Sequence, residues 1–115
     1  MSHMSEKDIE NQNEEQDIIA ELRVKRKERL EWLTESLAEY NPDAMLLEPR
    51  EMYDNAIHGY SLCGRAIYSY EELISTIMEC DGATWEDAVD HFDYNIAGTF
   101  EPMDDPNKPI FMYEA

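Results

Sequence analysis

Between Asp17 and Tyr40 the apolar residues Ile19, Leu22, Leu30, Leu33, Leu37 and Tyr40 recur at helical spacing, with Glu, Lys and Arg filling most positions between them. That period sets one apolar stripe along a helix, so the pattern predicts a long amphipathic N-terminal helix over 17–40. Arg26 stands where the stripe calls for an apolar residue, which interrupts any continuous coiled-coil seam. Asn41-Pro42-Asp43 ends the helix, because proline lacks the amide and the residue before it avoids helical dihedrals.

Beyond Glu48-Pro49-Arg50 the pattern changes. Asn55 to Tyr60 and Arg65 to Tyr68 each have short extended character and are separated by Ser61 to Gly64, which predicts a β-hairpin. Ser69-Tyr70-Glu71-Glu72 matches a capping box, and Leu73, Ile74, Ile77 and Met78 supply an apolar helical face as far as Cys80. Asp81-Gly82 breaks that helix, and Thr84-Trp85-Glu86-Asp87 opens another. Trp85, Ala88, Val89, Phe92 and Ile96 form the second helix's predicted buried stripe, with Gly98 as its left-handed terminator. Pro109 to Tyr113 reads as a third strand. The elements together predict an α+β fold: a long N-terminal amphipathic helix, a β-hairpin, two short capped helices, and a C-terminal strand completing a small antiparallel sheet.

The opening MSHM reads as a tag remnant ahead of a native start near Met4, and 5–16 is almost wholly polar, so 1–16 is expected to be a disordered acidic N-terminus. A single small domain is expected over 17–115, with a helix at 17–40 and a core at 49–113. The chain of 115 residues, 43% hydrophobic, can bury one modest core. No apolar run approaches the length of a membrane span and no leader-like apolar region stands near the start, so a cytoplasmic protein without membrane association is expected. Two cysteines, Cys63 and Cys80, make no disulfide framework and are read as reduced thiols.

Charge adds the strongest clue. Twenty-seven acids against nine bases give a net charge of −18, and the imbalance is uneven: 1–30 holds eight acids and six bases, whereas 31–115 holds nineteen acids and three bases. From 66 to 107 there are forty-two residues with eleven carboxylates and no lysine or arginine. Such a chain is repelled by nucleic acid and by anionic membranes, and a basic protein surface is its natural partner. Glu86, Asp90 and Asp93 stand at i, i+4 and i+7, on one face opposite the apolar stripe. Like charges at this spacing destabilise a helix by roughly 0.2–0.5 kcal/mol per pair. Carboxylates held in such a row resemble the phosphates of a nucleic-acid strand, and Glu72, Glu79, Asp104 and Asp105 are candidates to extend it.

Other chemistry is poorly represented. Asp81-Gly82 and Asp104-Asp105-Pro106-Asn107 lack the spacing of a calcium loop. His58, Cys63, Cys80 and His91 lack the paired spacing of a zinc site, and His91 is read instead as the surface partner of a carboxylate, Asp87 or Asp90. Cys63, beside Gly64, is the only nucleophile candidate in a loop setting, and its mostly anionic surroundings do not suit an activated thiolate; there is no P-loop, dinucleotide fingerprint or nucleophile elbow. No enzyme, metal or cofactor is expected.

Gly82-Ala83-Thr84-Trp85 followed by EDAVDHFDYNIAG, with Tyr68 ahead of the first capped helix and Pro109-Ile110-Phe111 near the end, resembles a group of short hypothetical bacteriophage and prophage proteins. The resemblance covers about 49–113 and departs in the long N-terminal helix and in the longer, more acidic Glu101 to Lys108 loop. It implies phage origin and a compact α+β core, and nothing catalytic. Small acidic phage proteins are often similar to DNA mimics, which implies a basic, nucleic-acid-binding host protein as partner. Two expectations therefore stand side by side. One is an inhibitor that mimics nucleic acid; the other is an assembly module that forms a homodimer through Ile19, Leu22, Leu30, Leu33 and Leu37, with acidity serving only solubility.

Overall fold

The computed structural model describes residues 6–114, with side-chain surroundings from Gln16 onward. Residues 1–5, which include the tag remnant MSHM, lie outside the described residues. The chain divides into two units, Met1–Trp32 and Leu33–Ala115, with the boundary inside the long helix.

That helix, α1, spans Glu6–Tyr40 and starts eleven residues ahead of Asp17, within the segment expected to be disordered. Glu, Gln, Lys, Arg, Leu and Ala are all good helix formers, and neither glycine nor proline interrupts the run. The apolar stripe does not behave as one surface. Ile18, Ile19, Leu22 and Val24 are exposed, whereas Leu33 and Leu37 are buried in the core and Leu30 is half-buried. The helix stops as expected: the Asn41 amide donates to Leu37 O at 2.7 Å, and Asn41 Oδ1 accepts from the Asp43 amide at 3.2 Å.

Within Leu33–Ala115, a short helix α2 (Arg50–Tyr53) and a 3₁₀ turn (Asp54–Ala56) lead into strands β1 (Ile57–Tyr60) and β2 (Ala66–Ser69). These two pair antiparallel as the predicted hairpin. Its turn needs Gly64: φ is +83°, and a Cβ there would lie 2.7 Å from Asn41 Cβ. Strand β3 (Ile110–Met112) pairs with β2 in parallel, giving a mixed three-stranded sheet in the order β1-β2-β3. The expected all-antiparallel sheet is thereby corrected. After β2 the chain crosses over through helices before returning, and a crossover connection is what a parallel pair requires.

Helix α3 (Tyr70–Asp81) is capped by Ser69, whose hydroxyl accepts from the Glu72 amide, and ends on Gly82 at φ +63°. Helix α4 (Trp85–His91) is capped by Thr84 in the same way. It runs without a break into a π-helical segment (Phe92–Ala97) and the short α5 (Gly98–Phe100). Gly98 is therefore not a terminator: its φ of −60° is right-handed, and a side chain there would come within 3.1 Å of Asp93 O. The wide turn accounts for this, because its i to i+5 bonding draws the Asp93 carbonyl against residue 98. Trp85 is half exposed rather than buried, while Ala88, Phe92, Ile96 and Ala97 face the core. Trp85 stands at the first position of α4, where the helix has only begun.

The core gathers Leu33, Leu37, Leu47, Tyr53, Ala56 and Ile57 with Tyr68, Leu73, Ile74, Ile77 and the inner face of α4. Tyr68 is fully buried, and its hydroxyl accepts from the Leu47 amide at 2.9 Å. Burial pushes the Tyr68 phenol from the ordinary 10.0 up to about 12. Among the described residues, no helix is long and apolar enough to cross a membrane.

Candidate functional site

The rod formed by α4, the π-helical segment and α5 carries the acidic face. Thr84 fixes its start, and Ala88, Phe92, Ile96 and Ala97 anchor one side in the core, so Glu86, Asp90 and Asp93 are left on solvent. None of the three makes an ion pair among the described residues. The bases of the compact unit are engaged elsewhere. Arg50 pairs with Asp54 at 2.9 Å. Arg65 Nε donates to Lys108 O at 2.7 Å, and Lys108 Nζ donates to Glu101 O at 3.0 Å. Arg65 and Lys108, which bracket the base-free stretch, thus spend donors on backbone carbonyls while the carboxylates stay unneutralised.

The other predicted members of the row are not equivalent to these. Glu79 and Asp104 are exposed. Asp105 is half-buried and accepts from the Asn107 amide at 2.8 Å, which shapes its own loop. Glu72 reaches His58 at 3.2 Å. His91 does not meet a carboxylate as expected: its Nδ1 lies 3.3 Å from Asn95 Nδ2, one turn further along. Both cysteines are free and exposed.

His58 is the centre of a cluster that sequence reasoning did not find. The β1–β2 register slips between Ile57 and Gly59, so His58 is the extra residue of a bulge, and a bulge re-aims its side chain. His58 Nε2 lies 3.2 Å from Glu72 Oε1 and 2.9 Å from Glu114 Oε1. The Glu114 amide in turn donates to Glu71 Oε2 at 3.1 Å. The three side chains offer donor atoms within 4.8 Å of one another, a set that can hold a metal ion, though both separations are equally those of an N–H shared by two carboxylates. Glu114 lies fifty-six positions from His58, and no spacing rule joins them.

A second feature lies at the far end of the rod. Tyr70 packs edge-on to Phe92 with ring centroids 5.0 Å apart and against Tyr113 at 5.0 Å; Phe92 meets Phe111 at 5.2 Å, also edge-on. These rings wall a cavity of about 490 Å³, with Asp93 and Glu101 also on its lining. Burial pushes the Tyr70 phenol above the ordinary 10.0, and Tyr113, Asp93 and Glu71 act in the same direction.

No family model, curated protein or solved structure matches this chain.

Proposed function

We propose that the protein is a non-enzymatic inhibitor of phage type, whose acidic face occupies the nucleic-acid site of a basic host protein such as a nuclease, a CRISPR complex, RNA polymerase or a nucleoid protein. It acts in the bacterial cytoplasm. One observation carries this reading: Glu86, Asp90 and Asp93 are exposed on a core-anchored helical rod, while Arg50, Arg65 and Lys108 are engaged elsewhere. Fixed carboxylates of this kind can meet the lysines and arginines that otherwise bind phosphates, with charge-assisted hydrogen bonds and fast, salt-sensitive association.

The test is affinity capture from a bacterial lysate at low and high salt, with the native chain and with a Glu86→Gln, Asp90→Asn, Asp93→Asn variant. The expected prey are basic nucleic-acid-binding proteins that elute with salt and are lost with the variant. Prey indifferent to both salt and substitution would overturn the proposal. A second reading, a homo-oligomerising assembly module, is favoured by the exposed Ile18, Ile19, Leu22 and Val24 on α1. It predicts a dimer in light scattering that Leu22→Lys converts to monomer.

A further inference from the structure

We infer that the cavity between Tyr70, Phe92, Phe111 and Tyr113 is a binding site for an arginine side chain presented by the basic partner. The inference rests on the acidic-face reading and deepens it, by naming the residue type that the face would anchor.

The cavity's volume of about 490 Å³ lies toward the lower end of the roughly 300–1,000 Å³ of ligand pockets. That is room for a long side chain rather than a length of nucleic acid. Four of its lining residues, Tyr113, Tyr70, Phe92 and Phe111, are aromatic, and their rings form an edge-to-face ladder. A cation over an aromatic face is held by the ring quadrupole. Two acidic residues, Asp93 and Glu101, belong to the same lining, and no lysine or arginine does. An aromatic lining with acidic residues and no internal cation is complementary to a side chain that is apolar along its stem and positive at its head.

Arginine fits this better than lysine. Its planar guanidinium stacks on rings and pairs with carboxylates in a fork, and it is more weakly hydrated than an ammonium. The π-helical segment supplies the floor. Phe92 begins it and is buried, Asp93 follows, and Gly98, just past its end, lines the cavity without a side chain to fill it. Wide turns of this kind occur often at functional sites. Tyr113 is largely exposed, at 75%, so the site opens to solvent where a partner's side chain can enter. Asp93 belongs both to the cavity and to the exposed row on the rod, which makes the two surfaces continuous.

The experiment is a titration of the full chain with a hexa-arginine peptide and, separately, a hexalysine peptide. It is followed by aromatic-region NMR and repeated with Tyr113→Ala, Glu101→Gln and Asp90→Asn. Hexa-arginine should bind more tightly and move the ring signals of Tyr70, Phe92 and Tyr113, while hexalysine leaves them in place. Tyr113→Ala should weaken hexa-arginine binding about twofold to fivefold, the factor expected for one partly exposed cation–π contact, with hexalysine unchanged. Glu101→Gln should weaken hexa-arginine binding more than Asp90→Asn does.

Equal binding of the two peptides, or a Tyr113→Ala chain that binds hexa-arginine as the native one does, would overturn the arginine site. If binding then still falls with salt and with Asp90→Asn, the acidic face stands without the cavity. If the ring signals respond as expected while captured prey ignore salt, the arginine site stands and the nucleic-acid mimicry falls.

Discussion

Replacing Asp90 with asparagine should make the protein more stable at low salt, and the gain should disappear at high salt. Asp90 lies on α4, one turn after Glu86 and Asp87, at i−4 and i−3. All three are exposed. Each like-charge pair at that spacing costs a helix about 0.2–0.5 kcal/mol, so removing two pairs returns about 0.4–1 kcal/mol. Asp93 lies beyond the start of the π-helical segment, where the turn is wider, and is left out of that sum. Asparagine and aspartate have nearly the same helix propensity, and the macrodipole effect fades within the first turn, so charge is the main variable. For a domain of this size the gain corresponds to a rise in Tm of about 2–8 °C. Thermal unfolding followed by circular dichroism, in about 0.01 M and about 1 M NaCl, spans Debye lengths of roughly 30 and 3 Å. The difference between variant and native chain should be positive in the first and near zero in the second. A lower Tm for the variant at low salt, or a difference that salt does not change, would refute the claim that the row is held against its own repulsion.

Two further substitutions probe the scaffold. Tyr68→Phe leaves the buried Leu47 amide without its acceptor and should cost about 1–3 kcal/mol in denaturant unfolding. The same tyrosine governs alkaline stability. Its folded-state pKa is raised from 10.0 to about 12, so its contribution is complete below pH 10.0 and is lost as pH rises toward about 12. Tyr68→Phe should flatten that loss, measured as unfolding free energy against pH; an unchanged slope would contradict it. Gly64→Ala should destabilise more than Gly82→Ala. Both sit at positive φ, which costs an L-residue roughly 1–2 kcal/mol, but only the first drives a Cβ to within 2.7 Å of Asn41 Cβ. Equal losses in chemical denaturation would remove the steric argument.

The sequence by itself determined whatever depends on neighbours a few positions apart. Ser69 and Thr84 cap the helices they were expected to cap, Asn41-Pro42 ends α1, Gly82 ends α3, and the hairpin falls where extended segments flank Ser61 to Gly64. The exposure of Glu86, Asp90 and Asp93 was legible for the same reason, since helical period fixes which face opposes the apolar stripe. Tertiary structure alone decided what depends on the chain's return. β3 is parallel because the helical crossover delivers it in that sense. Leu33 and Leu37 join the core of the second unit, while Ile19 and Leu22, on the same stripe, are exposed; the helical period marks the stripe but not which part of it is buried. The contacts of Glu72 with His58 and of Asp105 with the Asn107 amide likewise arise from tertiary and loop geometry. The aromatic cavity joins Tyr70, Phe92, Phe111 and Tyr113, which are tens of positions apart at the extremes. Spacing records the contacts of a helix turn or a hairpin, whereas a cavity walled by three separate segments exists only once their packing brings the rings together.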